Sequence, residues 1–171
     1  MAINLLDMLK VQIGDAVISQ AGSFLGAENS GVKSAMGAAL PSILGSLIAS
    51  GSTSQGSKGL IDMITKGGHD GSVFDNLGSF LDDVDSTSDF LNSGSGILKS
   101  LMGNKLGSVV DIISSVSGLN KGSSSSIMSM AAPLVIGMVG KYLKSKALDA
   151  MGLSKFLRSQ SRYVVDAMPA G

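Results

Sequence analysis

Three sets of side chains in this chain have types and spacings that could do chemistry. Asp83, Asp85, Thr87 and Asp89 alternate like the early oxygen ligands of a calcium loop. The pattern fails where the ion needs it most: the sixth position, which requires glycine for the sharp turn, is Ser88, and the twelfth, which should be a bidentate glutamate, is Gly94. The segment reads instead as an acidic turn whose oxygens cap the helix after it, and no metal is expected. Ser30-Gly31-Val32-Lys33 has the Ser-x-x-Lys spacing of some serine acyl enzymes, but the companion motifs are missing and a helix cap at Ser30 accounts for it. His69, the one histidine, lies in a glycine-rich turn beside Asp70 with no second imidazole to complete a metal site.

Other reaction classes lack their reagents. The chain has no cysteine, which excludes thiol catalysis, disulfides and thiolate-bound metals. Glu28 is the single glutamate, and the aspartates gather on one segment instead of facing each other across a cleft, as paired-carboxylate glycoside hydrolysis requires. No phosphate loop, dinucleotide fingerprint or Gly-x-Ser-x-Gly elbow occurs. The sequence therefore predicts a non-enzymatic protein without cofactor, metal or catalytic residues.

Charge is sparse and unevenly placed. Lys and Arg total 13, Asp and Glu total 13, charged residues make up 15% of the chain, and mean hydropathy is +0.35, so no attraction to nucleic acid is expected. Seven aspartates stand between Asp62 and Asp89 against one lysine, whereas Lys141 to Arg162 holds six basic residues against Asp149. One reading neutralises these two faces within the fold. The other joins subunits through Asp82, Asp83, Asp85 and Asp89 on one copy and Lys141, Lys144, Lys146, Arg158 and Arg162 on the next. A weakly charged surface of zero net charge offers little protection against association, so a homo-oligomer is expected, closing into a ring or running on as a filament.

The elements that must carry these residues show an internal echo. Ala39-Leu40-Pro41-Ser42-Ile43-Leu44-Gly45 returns 92 residues later as Ala131-Ala132-Pro133-Leu134-Val135-Ile136-Gly137. Upstream, Gly14-Asp15-Ala16-Val17-Ile18-Ser19 resembles Gly107-Ser108-Val109-Val110-Asp111-Ile112. Two more residues separate Leu25 from Pro41 than Leu119 from Pro133, a difference a turn would absorb. A proline inside a helix removes one hydrogen bond and clashes with the preceding turn, at a cost of about 3 kcal/mol. Pro41 and Pro133 are therefore expected at equivalent kinks, each with a hydroxyl, polar group or water beside the freed carbonyl. The whole chain, 1–171, reads as one domain with pseudo-repeats over about 5–50 and 97–142 around an acidic insert at 51–96.

Apolar spacing predicts helices throughout and no strands. Leu5, Leu9, Ile13, Val17, Ala21 and Phe24 define a first helix of about 20 residues. Asn29 or Ser30 caps a second helix through Pro41, Gly51 to Gly59 forms a loop, and Leu60 to Ile64 a short helix. Val73 to Val84 gives a further helix. The next carries Phe90 to Leu101 and is open to interruption at Gly94-Ser95-Gly96; another runs from Leu106 to Val116. Gly118 to Ser126 is a polar turn before the Pro133 helix, and a last helix holds Phe156, Leu157, Val164 and Val165. The fold class is all-α: a compact domain of seven or eight helices with an internal duplication and Pro-kinked core helices. Gly22, Gly26, Gly37, Gly45, Gly137 and Gly140 are expected to let helices approach closely, and Met128, Met130 and Met138 to fill core gaps.

The uncharged stretches around both prolines contain an apolar run of only about 14 residues, short of the roughly 20 that span a membrane, so buried core helices are expected in place of a transmembrane span. Asp7 inside the first apolar run and the missing basic lead-in argue against a signal peptide and predict a cytoplasmic protein.

Leu5-Leu6-Asp7-Met8-Leu9 followed by Gly37-Ala38-Ala39-Leu40-Pro41-Ser42-Ile43-Leu44-Gly45 resembles the YidB-like bacterial family of unknown function. The similarity is strongest over residues 1–65 and weaker to about Pro169. It implies a bacterial α-helical domain with no catalytic residues to carry over. Some relatives are followed by an outer-membrane-protein-A-like peptidoglycan-binding domain, which is the only ground for an envelope association here. The leading expectation is a self-associating structural or interaction protein. The alternative is a module that binds an apolar ligand or a membrane surface in a Met-lined groove, with an unknown protein or lipid as partner.

Overall fold

The computed structural model describes residues 4–51, 53–66, 84–146 and 149–167, apart from the side chains at positions 12, 15, 16, 54, 84–87 and 167. Every regular element among them is helical, as expected: α1 (Leu5–Gln12), α2 (Asp15–Leu25), α3 (Asn29–Ser50), α4 (Ser54–Lys66), α5 (Val84–Met102), a short 3-10 turn (Gly103–Lys105), α6 (Leu106–Ser117), α7 (Lys121–Ser145), α8 (Ala150–Ser159) and α9 (Ser161–Ala167).

The two proline helices form the centre. α3 and α7 pack on each other, α5 lies along α7, α6 and α9 cover α3, and α4 pairs with α8. From Ile127 to Gly140 every residue of α7 is buried, the all-round burial of a central core helix. Leu40, Ile43, Leu44 and Leu47 of α3 meet the same core as Leu134, Val135 and Ile136 of α7, and each such side chain contributes about 1.5–3 kcal/mol by leaving water. Met128, Met130 and Met138 are buried in this core. By length and composition α3 and α7 could each cross a membrane, because their serine-rich ends are helical too; their most apolar windows are 56% and 78% buried inside the domain.

Both prolines occupy the same register, each the thirteenth residue of its helix. The helix before each ends on a left-handed glycine, Gly26 at φ 66° and Gly118 at φ 75°. Counted from these glycines to the prolines the spacing is the same, so the two-residue difference anticipated in the turn disappears: Leu119 stands where Ala27 does. The two hairpins touch where Leu119 packs on Gly31, at which a Cβ would lie 2.7 Å from the leucine side chain.

Several boundaries differ from the sequence reading. The expected first helix of about 20 residues is broken at Ile13-Gly14, where Ile13 leaves helical geometry and Gly14 takes an extended conformation. α3 starts from Glu28 with no side-chain cap; Asn29 instead donates to Ser19 Oγ at 3.1 Å, and Ser30 is an exposed first-turn residue. The expected loop at 51–59 is helical from Ser54, because Thr53 accepts the Gly56 N–H at 3.0 Å as a cap. α5 begins at Val84, ahead of the residues expected to cap it, and runs unbroken through Gly94-Ser95-Gly96. α7 begins at Lys121, inside the expected turn, with Asn120 accepting the Ser123 N–H at 2.7 Å. The last helix divides at Gln160 into α8 and α9. The helix expected over Val73 to Val84 falls outside the described residues up to its final position.

Candidate functional site

Pro41 and Pro133 are buried within their helices. Neither has an N–H, so the carbonyls one turn back, those of Gly37 and Ser129, lose their usual amide donor. Ser42 Oγ donates to the Ala38 carbonyl, beside Gly37, at 2.8 Å, and Ser46 Oγ to the Ser42 carbonyl, beside Pro41, at 3.2 Å. Gly37 itself is exposed. At Ser129 the neighbour is Gly94 of α5.

The acidic half of the anticipated interface is only partly in view. Asp82 and Asp83 lie outside the described residues, as does His69; the side chain of Asp85 is not described, and Asp89 is exposed. On the basic half, Lys141, Lys144, Lys146, Arg158 and Arg162 are all exposed on the end of α7 and on α8 and α9. Their local packing is aromatic and hydroxylic: Tyr142 stacks on Phe156 at 4.0 Å between ring centroids, with Lys146 over the tyrosine at 5.9 Å. Arg158 donates to Ser154 Oγ at 3.1 Å, and Arg162 donates to Tyr163 Oη at 3.0 Å. The ion pair found among the described residues lies elsewhere, between Lys121 and Asp111 at 3.2 Å. Among the same residues no group of three His, Cys, Asp or Glu could hold a metal ion.

A feature that sequence reasoning missed lies at the other end of α3. Lys10 and Ile13 at the end of α1, Gly14 and Ile18 at the start of α2, and Lys33, Met36, Gly37 and Leu40 of α3 enclose a cavity of about 480 Å³. It exists because α1 and α2 are separate helices; a single straight helix would have no corner there. Its floor is aliphatic, both lysines are exposed, and neither makes an ion pair among the described residues. The legible signal was Gly37 standing within the apolar stripe of Met36 and Leu40, where a missing side chain leaves room.

The architecture is that of a compact all-α domain with two proline-bearing helices at its centre, a basic end, and a basic-rimmed cavity at the opposite end of α3. The chain belongs to the bacterial family of unknown function DUF937, whose family model matches residues 7–142, consistent with the YidB-like resemblance of its N-terminal motifs. No curated protein and no solved structure matches the chain.

Proposed function

We propose that this chain is a non-enzymatic interaction protein that self-associates, its basic segment 141–162 facing an acidic segment such as residues 70–89 of another copy. The observation that carries this reading is that Lys141, Lys155, Arg158 and Arg162 are exposed and make no ion pair among the described residues. Of the acidic segment, the described carboxylates Asp62 and Asp89 are exposed too, and neither is paired with these cations. Asp149, their neighbour in sequence, is instead occupied as the cap of α8, accepting the Gly152 N–H at 2.8 Å. Affinity would come from apolar surface, because exposed ion pairs contribute only about 0–1 kcal/mol each and mainly set register. Ile112 and Val116, one turn apart on α6 and 44% and 48% exposed, supply such surface. Reversing two basic residues, Lys141→Glu with Lys155→Glu, tests the reading by light scattering. The expected result is a lower native mass at equal concentration with unchanged helical circular dichroism; an unchanged mass would count against it.

A second reading, binding of an apolar ligand, is favoured by the cavity beside α3. Its aliphatic floor and open mouth are those of a small-molecule site, although its lining includes one methionine, Met36, and not the Met-rich groove expected around the prolines.

A further inference from the structure

The cavity between α1, α2 and α3 combines three properties that together select a ligand. Lys33, Met36, Gly37 and Leu40 stand at i, i+3, i+4 and i+7 and so form one face of α3. Within that face the glycine makes the space: a Cβ at Gly37 would meet no atom within 4 Å, and the same holds at Gly14 across the cavity. The volume of about 480 Å³ falls inside the roughly 300–1,000 Å³ of small-molecule sites.

Chemistry divides the lining in two. Ile13, Ile18, Met36 and Leu40 offer an aliphatic floor, while Lys10 and Lys33 stand at the exposed mouth and no carboxylate lines it among the described side chains. A sugar phosphate or nucleotide would satisfy the lysines and leave the floor unused. A neutral hydrocarbon would fill the floor and gain nothing from the lysines. An alkyl chain ending in an anion uses both, its methylenes leaving water on the floor and its head group meeting the lysines.

We propose that this cavity binds a single-chain fatty acid as a free monomer, its carboxylate held between the ammonium groups of Lys10 and Lys33 and its chain laid on Ile13, Ile18, Met36 and Leu40. The proposal rests on the apolar-ligand reading and gives that ligand its head group; it holds whether or not the chain self-associates. A phosphate-headed alkyl chain shares the same chemistry and is separated from a carboxylate by the test.

The test is an NMR titration of the full chain with decanoate, decanol and decyl phosphate, each kept below its micelle or solubility limit, read at the amides of Gly14 and Gly37. Decanoate should saturate one site and decanol should bind about tenfold more weakly, the difference that charge-assisted contacts at an exposed mouth supply. Lys10→Gln with Lys33→Gln should bring decanoate down to the decanol level; both positions are exposed, so the fold is retained. Gly37→Leu should abolish binding of both ligands without lowering the melting temperature, since it fills the cavity and improves helix propensity. Equal affinity for decanoate and decanol would overturn the anionic head group while leaving the apolar-ligand reading standing, and no saturable binding of either would overturn both. Decanoate binding unchanged in the double lysine variant, or retained by Gly37→Leu, would overturn the site. Decyl phosphate binding more than tenfold tighter than decanoate would overturn the carboxylate assignment.

Discussion

Gly94 of α5 lies directly against the carbonyl of Ser129 in α7, the carbonyl that Pro133 deprives of its helical amide. A Cβ at Gly94 would run into that oxygen, so the glycine fixes how closely the two helices pack. Beside the contact, Ser95 Oγ and Ser129 Oγ are 3.4 Å apart. A weak Cα–H···O interaction there is worth at most about 0.5–1 kcal/mol, but the steric consequence is larger. Gly94→Ala should destabilise the protein by about 1–3 kcal/mol, the usual cost of overpacking. Gly96→Ala, two residues on, exposed and with open space at its Cβ, should stabilise by about 0.5–1 kcal/mol. Urea melts of the two variants check the pair, and equal effects would refute the contact.

Gly26 and Gly118 end α2 and α6 in the left-handed region, each with its N–H bonded back to the preceding helix. Neither has an atom within 4 Å of a built Cβ, so replacement costs backbone strain alone. Gly26→Ala and Gly118→Ala should each lose about 1–2 kcal/mol, by amounts that agree with one another. A clear inequality in thermal melts would argue against equivalent turns and against the proposed duplication.

The start of α1 meets the junction of α8 and α9 at Gln160. The residue is 1% exposed and its Oε1 accepts the Leu5 N–H at 2.9 Å, across 155 residues of sequence. Asn4 Oδ1 takes the next two amides of α1, those of Leu6 and Asp7. Gln160→Ala leaves the buried Leu5 amide without its acceptor and should cost about 1–3 kcal/mol. Hydrogen exchange should speed up first in α1, and an unchanged α1 would contradict the contact.

What the sequence made legible was type and burial; what it hid was where helices stop. Apolar spacing places Leu5, Leu9, Leu40, Ile43 and Ile113 in the core, where they are fully buried. The break at Ile13-Gly14 was missed because a glycine inside an apolar repeat is compatible with a continuous helix, and only the docking of α1 beside α2 decides otherwise. Serine and glycine runs misled in the opposite direction. Ser54 to Gly59 and Gly122 to Ser126 have poor helix propensity, yet they are helical because caps at Thr53 and Asn120 start the turns and buried Ser57 and Ser124 pack inward. Gly94-Ser95-Gly96 looked like an interruption for the same reason, when the glycine serves a helix crossing. The cavity was invisible because Lys10 and Lys33 lie on different helices and are brought together only by the fold.

Exposed basic residues imply a salt response. If the ends of two copies attract, raising ionic strength from about 0.05 M to about 1 M shortens the Debye length to about 3 Å and should weaken association without unfolding the helices. Light scattering and circular dichroism on the same samples check this; association that strengthens with salt would assign it to apolar surface such as Ile112 and Val116 alone.

Sedimentation velocity of the wild-type chain across a hundredfold range of concentration at low salt tests self-association most directly. Self-association through unlike patches predicts a weight-average mass that climbs with concentration, towards a closed ring or without limit. A single monomeric species throughout would contradict the assembly reading and leave ligand binding as the function to pursue.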